Sequence, residues 1–401
     1  MTTPWLSVVG IGEDGVEGLS AAARALIDTA EVIAGGERHL ALLPAGPAER
    51  LVWASPFAAN FERLEALRGR RVCVLASGDP MWFGVGATLV RRFPADQVAV
   101  LAHPGAFSLA AARLGWALHE TVCLTIHGRP LTALALHLAP QARLLVLSED
   151  ASSPAKVAAL LAEAGYGKSR IFVLERLGGP QERRFSALAC DWRAEPGEDL
   201  NILAIDLRAD AGTAVLGRAP GLPDDAYLHD GQLTKREVRA VTLSALAPWP
   251  GALLWDVGAG CGSIAIEWAR AGGRAVAIER DKTRADMIAR NAAALGVPGI
   301  PVVLGEVPAV LGGIDSIPDA IFIGGGVSAE GVLEACWKAL KPGGRLVANA
   351  VTAEAETALT AWQARHGGEF CRIAVSRLSP TGRFHSWHPL MPVTQYLGFK
   401  R

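Results

Sequence analysis

Short apolar runs alternate with amphipathic segments along the second half of the chain. Segments 283–295 and 328–340 carry apolar residues at helical spacing. They lie among apolar runs of strand length at 252–257, 274–279, 300–304, 319–323, 345–350, 370–376 and 393–399. This alternation predicts βα units that build a doubly wound, mostly parallel sheet of seven strands. Only a Pro- and His-containing loop, 378–392, separates the last two runs, so we expect an antiparallel pair at one edge.

The first half shows the same alternation, with different loops after its strands. Its strand-like runs lie near 5–9, 31–34, 71–76, 98–101, 121–126, 143–148, 170–174 and 200–207. Three of them end in Val9-Gly10-Ile11-Gly12, Ser77-Gly78-Asp79-Pro80 and Pro104-Gly105-Ala106-Phe107-Ser108. Small residues at several strand ends predict a ligand crevice at the carboxyl edge of a sheet. The Gly- and Pro-rich segment 209–221 predicts a linker between domains at 1–208 and 222–401.

The most informative motif is Asp256-Val257-Gly258-Ala259-Gly260-Cys261-Gly262, which ends an apolar run and precedes a helical one. Glycine allows a tight turn and lets a ligand approach without a Cβ in the way. The next apolar run ends in Glu279, which is placed to accept hydrogen bonds from ribose hydroxyls. The Gly-x-Gly-x-Gly spacing favours S-adenosylmethionine over a dinucleotide, whose motif is Gly-x-Gly-x-x-Gly. The alternative is a turn that only joins strand to helix.

Composition narrows the class of protein. The chain has 401 residues, half of them apolar, which suits a globular protein of two or three domains. With 39 basic and 40 acidic residues its net charge is −1, whereas a general nucleic-acid binder is usually basic. Its six cysteines are scattered singly, so we predict no metal site and no disulfide framework. Without an apolar run of membrane length or a signal-like start, we expect a cytoplasmic protein with no membrane partner.

Together these motifs resemble two methyltransferase families. The three glycine loops of the first half, with Leu147-Ser148-Glu149-Asp150 and Glu175-Arg176-Leu177-Gly178, resemble the tetrapyrrole methylases over roughly 5–208. The second half resembles class I methyltransferases over roughly 221–400, through Thr234-Lys235-Arg236-Glu237, the Asp256 turn and Ile323-Gly324-Gly325-Gly326. The fusion of the two is similar to the decarboxylating precorrin-6Y methyltransferase family of cobalamin synthesis.

The resemblance implies both a fold and an activity. The expected fold is α/β: a tetrapyrrole-methylase domain of two α/β subdomains, joined to a Rossmann-like class I methyltransferase domain. The expected reaction methylates precorrin-6Y at carbons 5 and 15 and removes the ring C acetate as carbon dioxide, giving precorrin-8X by the aerobic, metal-free route. By resemblance the first half methylates carbon 5, and the second half methylates carbon 15 and decarboxylates. It also implies one S-adenosylmethionine per domain, two per chain, an anionic tetrapyrrole substrate and a homo-oligomer.

The resemblance assigns residues to two cofactor sites. The first site would be lined by Gly10, Gly12, Gly78, Asp79, Pro80, Gly105 and Ser108. The second would be lined by Asp256, Gly258, Gly260, Glu279 and Glu306. In the second half, Gly324-Gly325-Gly326 would leave room for a bulky planar ring, where base-modifying methylases place a polar and aromatic motif.

Fewer residues are candidates for contact with the substrate. Lys235, Arg236 and Arg239 could bind its carboxylates, and the alternative is an ordinary solvated helix face. His385 and His388 could donate a proton or touch the macrocycle, and the alternative is surface packing. Methyl transfer from a sulfonium depends mostly on positioning, so no catalytic side chain is identified.

Two other enzyme classes and one binding class compete with this interpretation. An RNA methyltransferase predicts a basic face and a base-gripping motif, and an NAD-dependent oxidoreductase predicts a Gly-x-Gly-x-x-Gly turn. In the second half the turn after Asp256 has Gly-x-Gly-x-Gly spacing instead, and Gly324-Gly325-Gly326 follows the fourth strand where a base-gripping motif is expected. A scaffold protein would not need two separate sites with carboxylates placed for ribose.

Overall fold

The computed structural model describes residues 4–401, which form two compact units. Unit 1 extends to Arg129 and resumes over Ala139–Thr213, and unit 2 comprises Pro130–Leu138 and Ala214–Arg401. The change from one unit to the other near residue 213 falls inside segment 209–221, and the linker there stays a prediction. No helix within residues 4–401 is long and apolar enough to cross a bilayer.

Unit 1 begins with a parallel sheet of five strands. The strands are β1 (Leu6–Ile11), β2 (Val32–Gly35), β3 (Glu49–Val52), β4 (Val72–Ser77) and β5 (Val98–Leu101). The helices are α1 (Ala21–Asp28), α2 (Glu37–Ala41), α3 (Ala59–Glu65), α4 (Val85–Arg92) and α5 (Ala106–Leu114). The strand order is β3-β2-β4-β1-β5, and alternate residues of β1 pack into separate clusters on the two faces. Central parallel strands are therefore buried on both sides and read as continuous apolar runs.

The second sheet of unit 1 is mixed. It contains β6 (Thr121–Thr125), β7 (Arg143–Leu147), β8 (Arg170–Glu175), β9 (Arg183–Leu188) and β10 (Asn201–Asp206), with helix α6 (Ser153–Glu163). The order is β6-β7-β10-β8-β9, and only β6 and β7 pair in parallel. Unit 1 thus has the two α/β subdomains that the resemblance to tetrapyrrole methylases implies.

Unit 2 is built on one sheet of seven strands. Its helices are α7 (Arg236–Leu246), α8 (Ser263–Arg270), α9 (Lys282–Ala294), α10 (Val332–Ala339) and α11 (Ala353–His366). Its strands are β11 (Leu253–Val257), β12 (Arg274–Glu279), β13 (Val302–Leu304), β14 (Ala320–Ile323), β15 (Arg345–Ala350), β16 (Glu369–Ile373), β17 (Ser376–Thr381), β18 (Phe384–Pro389) and β19 (Val393–Phe399). The order is β13-β12-β11-β14-β15-β19-β16, and β19 runs antiparallel to both neighbours. The mostly parallel seven-stranded sheet with a reversed strand is confirmed.

The predicted loop 378–392 is wrong over most of its length. Strands β17 and β18 form an antiparallel hairpin there, separate from the main sheet. The hairpin is largely exposed and contains Pro380 and Pro389, so it lacks the apolar pattern of a buried strand. Pairing between two exposed strands leaves little trace in the sequence.

Candidate functional sites

A first cavity of about 710 Å³ opens in unit 1. It lies where β1, β4 and β5 of the parallel sheet end, and the ends of β6 and β7 complete its wall. Predicted residues Gly12, Gly78, Asp79, Gly105 and Ser108 line it. The crevice therefore lies at the carboxyl edge of the sheet, as its three glycine loops predict.

The glycines of these loops allow backbone to pack against backbone. Gly78 has φ +52, and a Cβ on it would lie 2.5 Å from the Cα of Gly105. A Cβ on Gly10 would lie 1.9 Å from the carbonyl oxygen of Gly78. Side chains at these positions would force the strand ends apart, so the shape of the cavity depends on their absence.

Two of the predicted residues lie behind the cavity lining. Gly10 packs beneath the Gly78 loop, and Pro80 fills the space against Gly84 and Gly86. Their positions support the loops and do not present atoms to a ligand in the cavity. The geometry therefore favours a supporting role for Gly10 and Pro80 over direct contact with a cofactor.

A polar cluster at the first cavity was not predicted from the sequence. Arg38 donates hydrogen bonds to Glu13 and, at 2.8 Å, to the Ser77 hydroxyl, and His39 Nε2 lies 2.8 Å from the same hydroxyl. Glu13 also accepts a hydrogen bond from Arg176. Burial, helped by the charge of Arg38, lowers the pKa of His39 to about 4, so this imidazole is neutral at physiological pH. In the sequence, the only sign of this cluster was the Arg38-His39 pair, which follows the apolar run that forms β2.

A second cavity of about 860 Å³ opens in unit 2, at the carboxyl ends of β11, β12, β14 and β15. Gly258, Gly260, Glu279 and Glu306 line it, as does Lys235. Gly258 and Gly260 have φ values of +67 and +59, in the left-handed region that favours glycine. The predicted turn therefore exists and faces an open space.

The Glu279 carboxylate closes this turn. One oxygen accepts a hydrogen bond from the Gly260 amide at 2.8 Å, and the other accepts from the Arg280 and Asp281 amides, each at 3.0 Å. Each carboxylate oxygen has two lone pairs, so only the oxygen that accepts from Gly260 keeps capacity to accept from a hydroxyl group. The arrangement fits recognition of one ribose hydroxyl.

Asp256 does not line the cavity. Its side chain is buried behind the turn, where one oxygen accepts a hydrogen bond from the Ala265 amide at 2.9 Å and the other has no partner within residues 4–401. Burial, together with the charge of Glu279, raises the pKa of Asp256 to about 7 against the opposing Ala265 hydrogen bond. Asp256 therefore caps helix α8 from the preceding strand, and its predicted contact with the cofactor is corrected.

The predicted carboxylate-binding role of Arg239 is wrong. Its guanidinium is fully buried, donates to Glu267 and to the carbonyl oxygens of Thr234 and Leu222, and lies over the Tyr227 ring. These contacts leave it inaccessible to a ligand. The sequence could not show this because Glu267, its main partner, lies on a different helix.

The other predicted substrate residues lie in three different surroundings. Lys235 precedes α7 and lines the second cavity, whereas Arg236 is exposed outside the lining and lies 3.6 Å from Glu237. His385 and His388 are on the β17–β18 hairpin, where His388 Nε2 lies 2.8 Å from the Ser386 hydroxyl. Neither histidine lines the cavity. Val375 and Leu390, which flank the hairpin, do line it.

Two further features shape the second cavity. Gly324, Gly325 and Gly326 line it, and a Cβ on Gly325 or Gly326 would meet open space. Asn349, which was not predicted, lines the wall at the end of β15. Its amide donates to Thr242 and its oxygen accepts from Gln395, both at 2.9 Å, so its orientation is fixed. A lone polar residue in an apolar run was the only signal for Asn349.

Comparisons with known proteins match the two units separately. Residues 6–189 match the family described as tetrapyrrole (corrin/porphyrin) methylases, and residues 225–400 match the precorrin methyltransferase domain. A precorrin-6Y C(5,15)-methyltransferase (decarboxylating) from Sinorhizobium sp. is 50% identical over 99% of this chain and 96% of its own length.

Shorter relatives match only part of the chain. The cobalt-precorrin-7 C(5)-methyltransferase of Salmonella typhimurium is 32% identical over 44% of this chain and 88% of its own length. A probable cobalt-precorrin-6B C(15)-methyltransferase (decarboxylating) of Sulfurisphaera tokodaii is 36% identical over 34% of this chain and 74% of its own length.

Proposed function

The chain belongs to the family of decarboxylating precorrin-6Y C(5,15)-methyltransferases, and we propose that it methylates carbons 5 and 15 of that macrocycle in two separate centres. The chain is a methyltransferase, and S-adenosylmethionine is its methyl donor. The observation that carries the proposal is that each unit has its own glycine-walled cavity at the carboxyl ends of parallel strands. Two S-adenosylmethionine molecules per chain follow from it.

We assign methylation of carbon 5 to unit 1, and methylation of carbon 15 with decarboxylation to unit 2. The existence of separate relatives named for each activity supports this division, since neither matches as much as half of the chain. The tetrapyrrole methylase match of residues 6–189 supports placing the carbon 5 reaction in unit 1.

The cofactor supplies an activated methyl group on sulfur, and the residues of this chain bind and orient. In unit 2 the Gly258–Gly260 turn allows close approach, and the Glu279 carboxylate is placed for a ribose hydroxyl. Gly325 and Gly326 leave space for a planar ring beside the turn. When the acetate group loses carbon dioxide, the electron pair of the broken carbon–carbon bond enters the conjugated macrocycle. Addition of a proton to the remaining CH2 carbon then gives a methyl group, so no further cofactor is required.

Calorimetric titration of the full chain with S-adenosylhomocysteine tests the number of centres. We expect two sites per chain. One site would reduce the proposal to a single methylation centre, as an RNA methyltransferase would have, and no binding would favour a scaffold.

A blocking substitution tests the division of labour. Gly325→Arg places a long side chain in the second cavity without backbone strain, because its Cβ meets open space. We expect loss of carbon 15 methylation and of carbon dioxide release, with carbon 5 methylation retained, measured by mass spectrometry of the products. Gly299→Arg is the matched control, since Gly299 also faces open space but lies outside the cavity. Retention of every activity in Gly325→Arg would refute the assignment.

A further inference from the structure

Three consecutive large apolar side chains are exposed at the edge of the first cavity. Met81, Trp82 and Phe83 have 46%, 42% and 45% of their surface accessible, and Trp82 and Phe83 line the cavity. They directly follow the Gly78-Asp79-Pro80 loop, so they lie beside the proposed cofactor site. Clustered apolar exposure of this kind marks a binding surface more often than an isolated exposed residue does.

The loop holds these rings in a fixed arrangement. Asp79 accepts a hydrogen bond from the Met81 amide at 2.8 Å, and both rings pack against Phe107, with centroid distances of 5.2 Å for Trp82 and 6.0 Å for Phe83. Phe83 has φ +57, a conformation that a bulky residue adopts at a cost. The surrounding contacts therefore maintain a strained residue whose ring stays partly open to the cavity.

A cation lies against the same surface. The guanidinium carbon of Arg129 is 5.3 Å from the Phe83 ring centroid, and Arg129 lines the cavity. No carboxylate within residues 4–401 forms an ion pair with Arg129. Arg38, another cation of this cavity, is by contrast paired with Glu13. Arg129 therefore keeps its capacity for an anionic ligand.

We propose that Trp82, Phe83 and Arg129 form the macrocycle-binding wall of unit 1. The two rings provide a face on which the macrocycle stacks, and Arg129 binds one of its carboxylates. This inference rests on the proposed function, because its occupant is the planar, polycarboxylate tetrapyrrole. Aromatic rings pack well against a conjugated planar face, and a guanidinium binds a peripheral carboxylate in a bidentate manner. The wall would hold the macrocycle next to the methyl donor and fix which carbon faces it.

The competing occupant of this wall is the adenine of the cofactor, and charge separates the two. The cofactor carries one carboxylate together with a sulfonium cation and an ammonium group, whereas the macrocycle carries many acetate and propionate groups and is strongly anionic. An unpaired arginine on the wall favours the anion. The test must therefore measure affinity for both ligands.

The experiment uses the full chain with Trp82→Leu, Phe83→Leu, Arg129→Ala and Arg129→Lys. Leucine keeps the apolar contact with Phe107 but removes the aromatic face. We expect the KM for the macrocycle in carbon 5 methylation to rise roughly 10-fold for each leucine variant and roughly 10- to 100-fold for Arg129→Ala. Arg129→Lys should lie between Arg129→Ala and the parent. Affinity for S-adenosylhomocysteine and the carbon 15 reaction should not change.

Two controls match the substitutions in exposure and chemistry. Trp249→Leu removes a tryptophan that is 44% exposed in unit 2, and Arg92→Ala removes an exposed arginine of α4 outside the cavity. Both should leave the KM for the macrocycle unchanged.

The outcomes separate this proposal from the proposed function. An unchanged KM in the variants, with a parent protein that methylates carbon 5, would overturn the wall and leave the proposed function intact. Weakened S-adenosylhomocysteine binding in unit 1 would assign the wall to the cofactor and also overturn it. A parent protein that does not methylate carbon 5 would overturn both.

Discussion

The buried carboxyl of Asp256 predicts that unit 2 loses stability as the pH rises. Its pKa is about 7 in the folded protein and 3.8 when the group is unperturbed, so the folded state binds the proton more tightly than the unfolded state. Stability from this group is therefore greatest below pH 4, declines as the pH rises, and is constant again above pH 7. Each pKa unit is worth 1.36 kcal/mol, which makes the full effect about 4 kcal/mol.

Asp256→Asn isolates this effect because asparagine has the same shape and cannot ionise. Its side-chain oxygen can still accept the hydrogen bond from the Ala265 amide. Between pH 5 and pH 8, the variant should gain about 2.5 kcal/mol in free energy of unfolding relative to the parent. Hydrogen exchange of the slowest β11 amides, measured in the full chain at several pH values, reports this difference for unit 2.

Two controls define the source of the effect. Asp225→Asn makes the same substitution at an exposed carboxylate and is the matched control. Glu279→Gln removes the neighbouring charge, so it should lower the pKa of Asp256 and shrink the pH-dependent difference. If the difference between Asp256→Asn and the parent is the same at pH 5 and pH 8, Asp256 is not the buried group that the structure describes.

Further substitutions separate the two centres and test the buried ion pair. Gly258→Arg should abolish one S-adenosylhomocysteine site, carbon 15 methylation and carbon dioxide release while carbon 5 methylation persists; calorimetry and product mass measure this. Asp79→Trp should fill the first cavity and give the reverse pattern in the same assays. Glu267→Gln should destabilise unit 2 by roughly 3–5 kcal/mol in urea unfolding, because it leaves the Arg239 guanidinium buried without its main anion. The exposed pair of Glu334 with Arg365 provides the control, and Glu334→Gln should cost less than about 1 kcal/mol.

Buried strands were predictable because their sequence reports their surroundings directly. Strand β11 is buried along its whole length and appears as an apolar run, and the glycine turn after it needs only local conformation. Strands β3 and β9 escaped prediction because they lie at sheet edges and expose charged residues such as Glu49 and Arg183. An edge strand is stabilised by pairing with its neighbour, and local hydrophobicity does not record that pairing.

The site residues that could be predicted are also those whose position depends on local sequence, and the others depend on distant segments. Gly258 and Glu279 were predictable, since a turn and the next strand end bring them together at a fixed spacing. The roles of Arg239 and Asp256 were not, because burial by distant segments decides them: Glu267 neutralises Arg239, and helix α8 covers Asp256. Charged and polar residues near a motif therefore need the tertiary structure before a role can be assigned to them.

In each unit the first glycine turn is followed along the chain by a strand, and the two strands end in different chemistry. In unit 2 the next strand ends in a carboxylate, and Glu279 lies at the cavity with hydrogen-bond capacity for one hydroxyl group. In unit 1 the strand β2 leads to Arg38 and His39, with Arg38 paired to Glu13 and His39 kept neutral by burial. Neither the Arg38 guanidinium nor the neutral His39 offers a ribose hydroxyl the carboxylate that Glu279 offers in unit 2, so unit 1 must bind such a group through other residues of its cavity. The two centres should consequently respond to different changes in the cofactor, even though both are proposed to transfer the same methyl group.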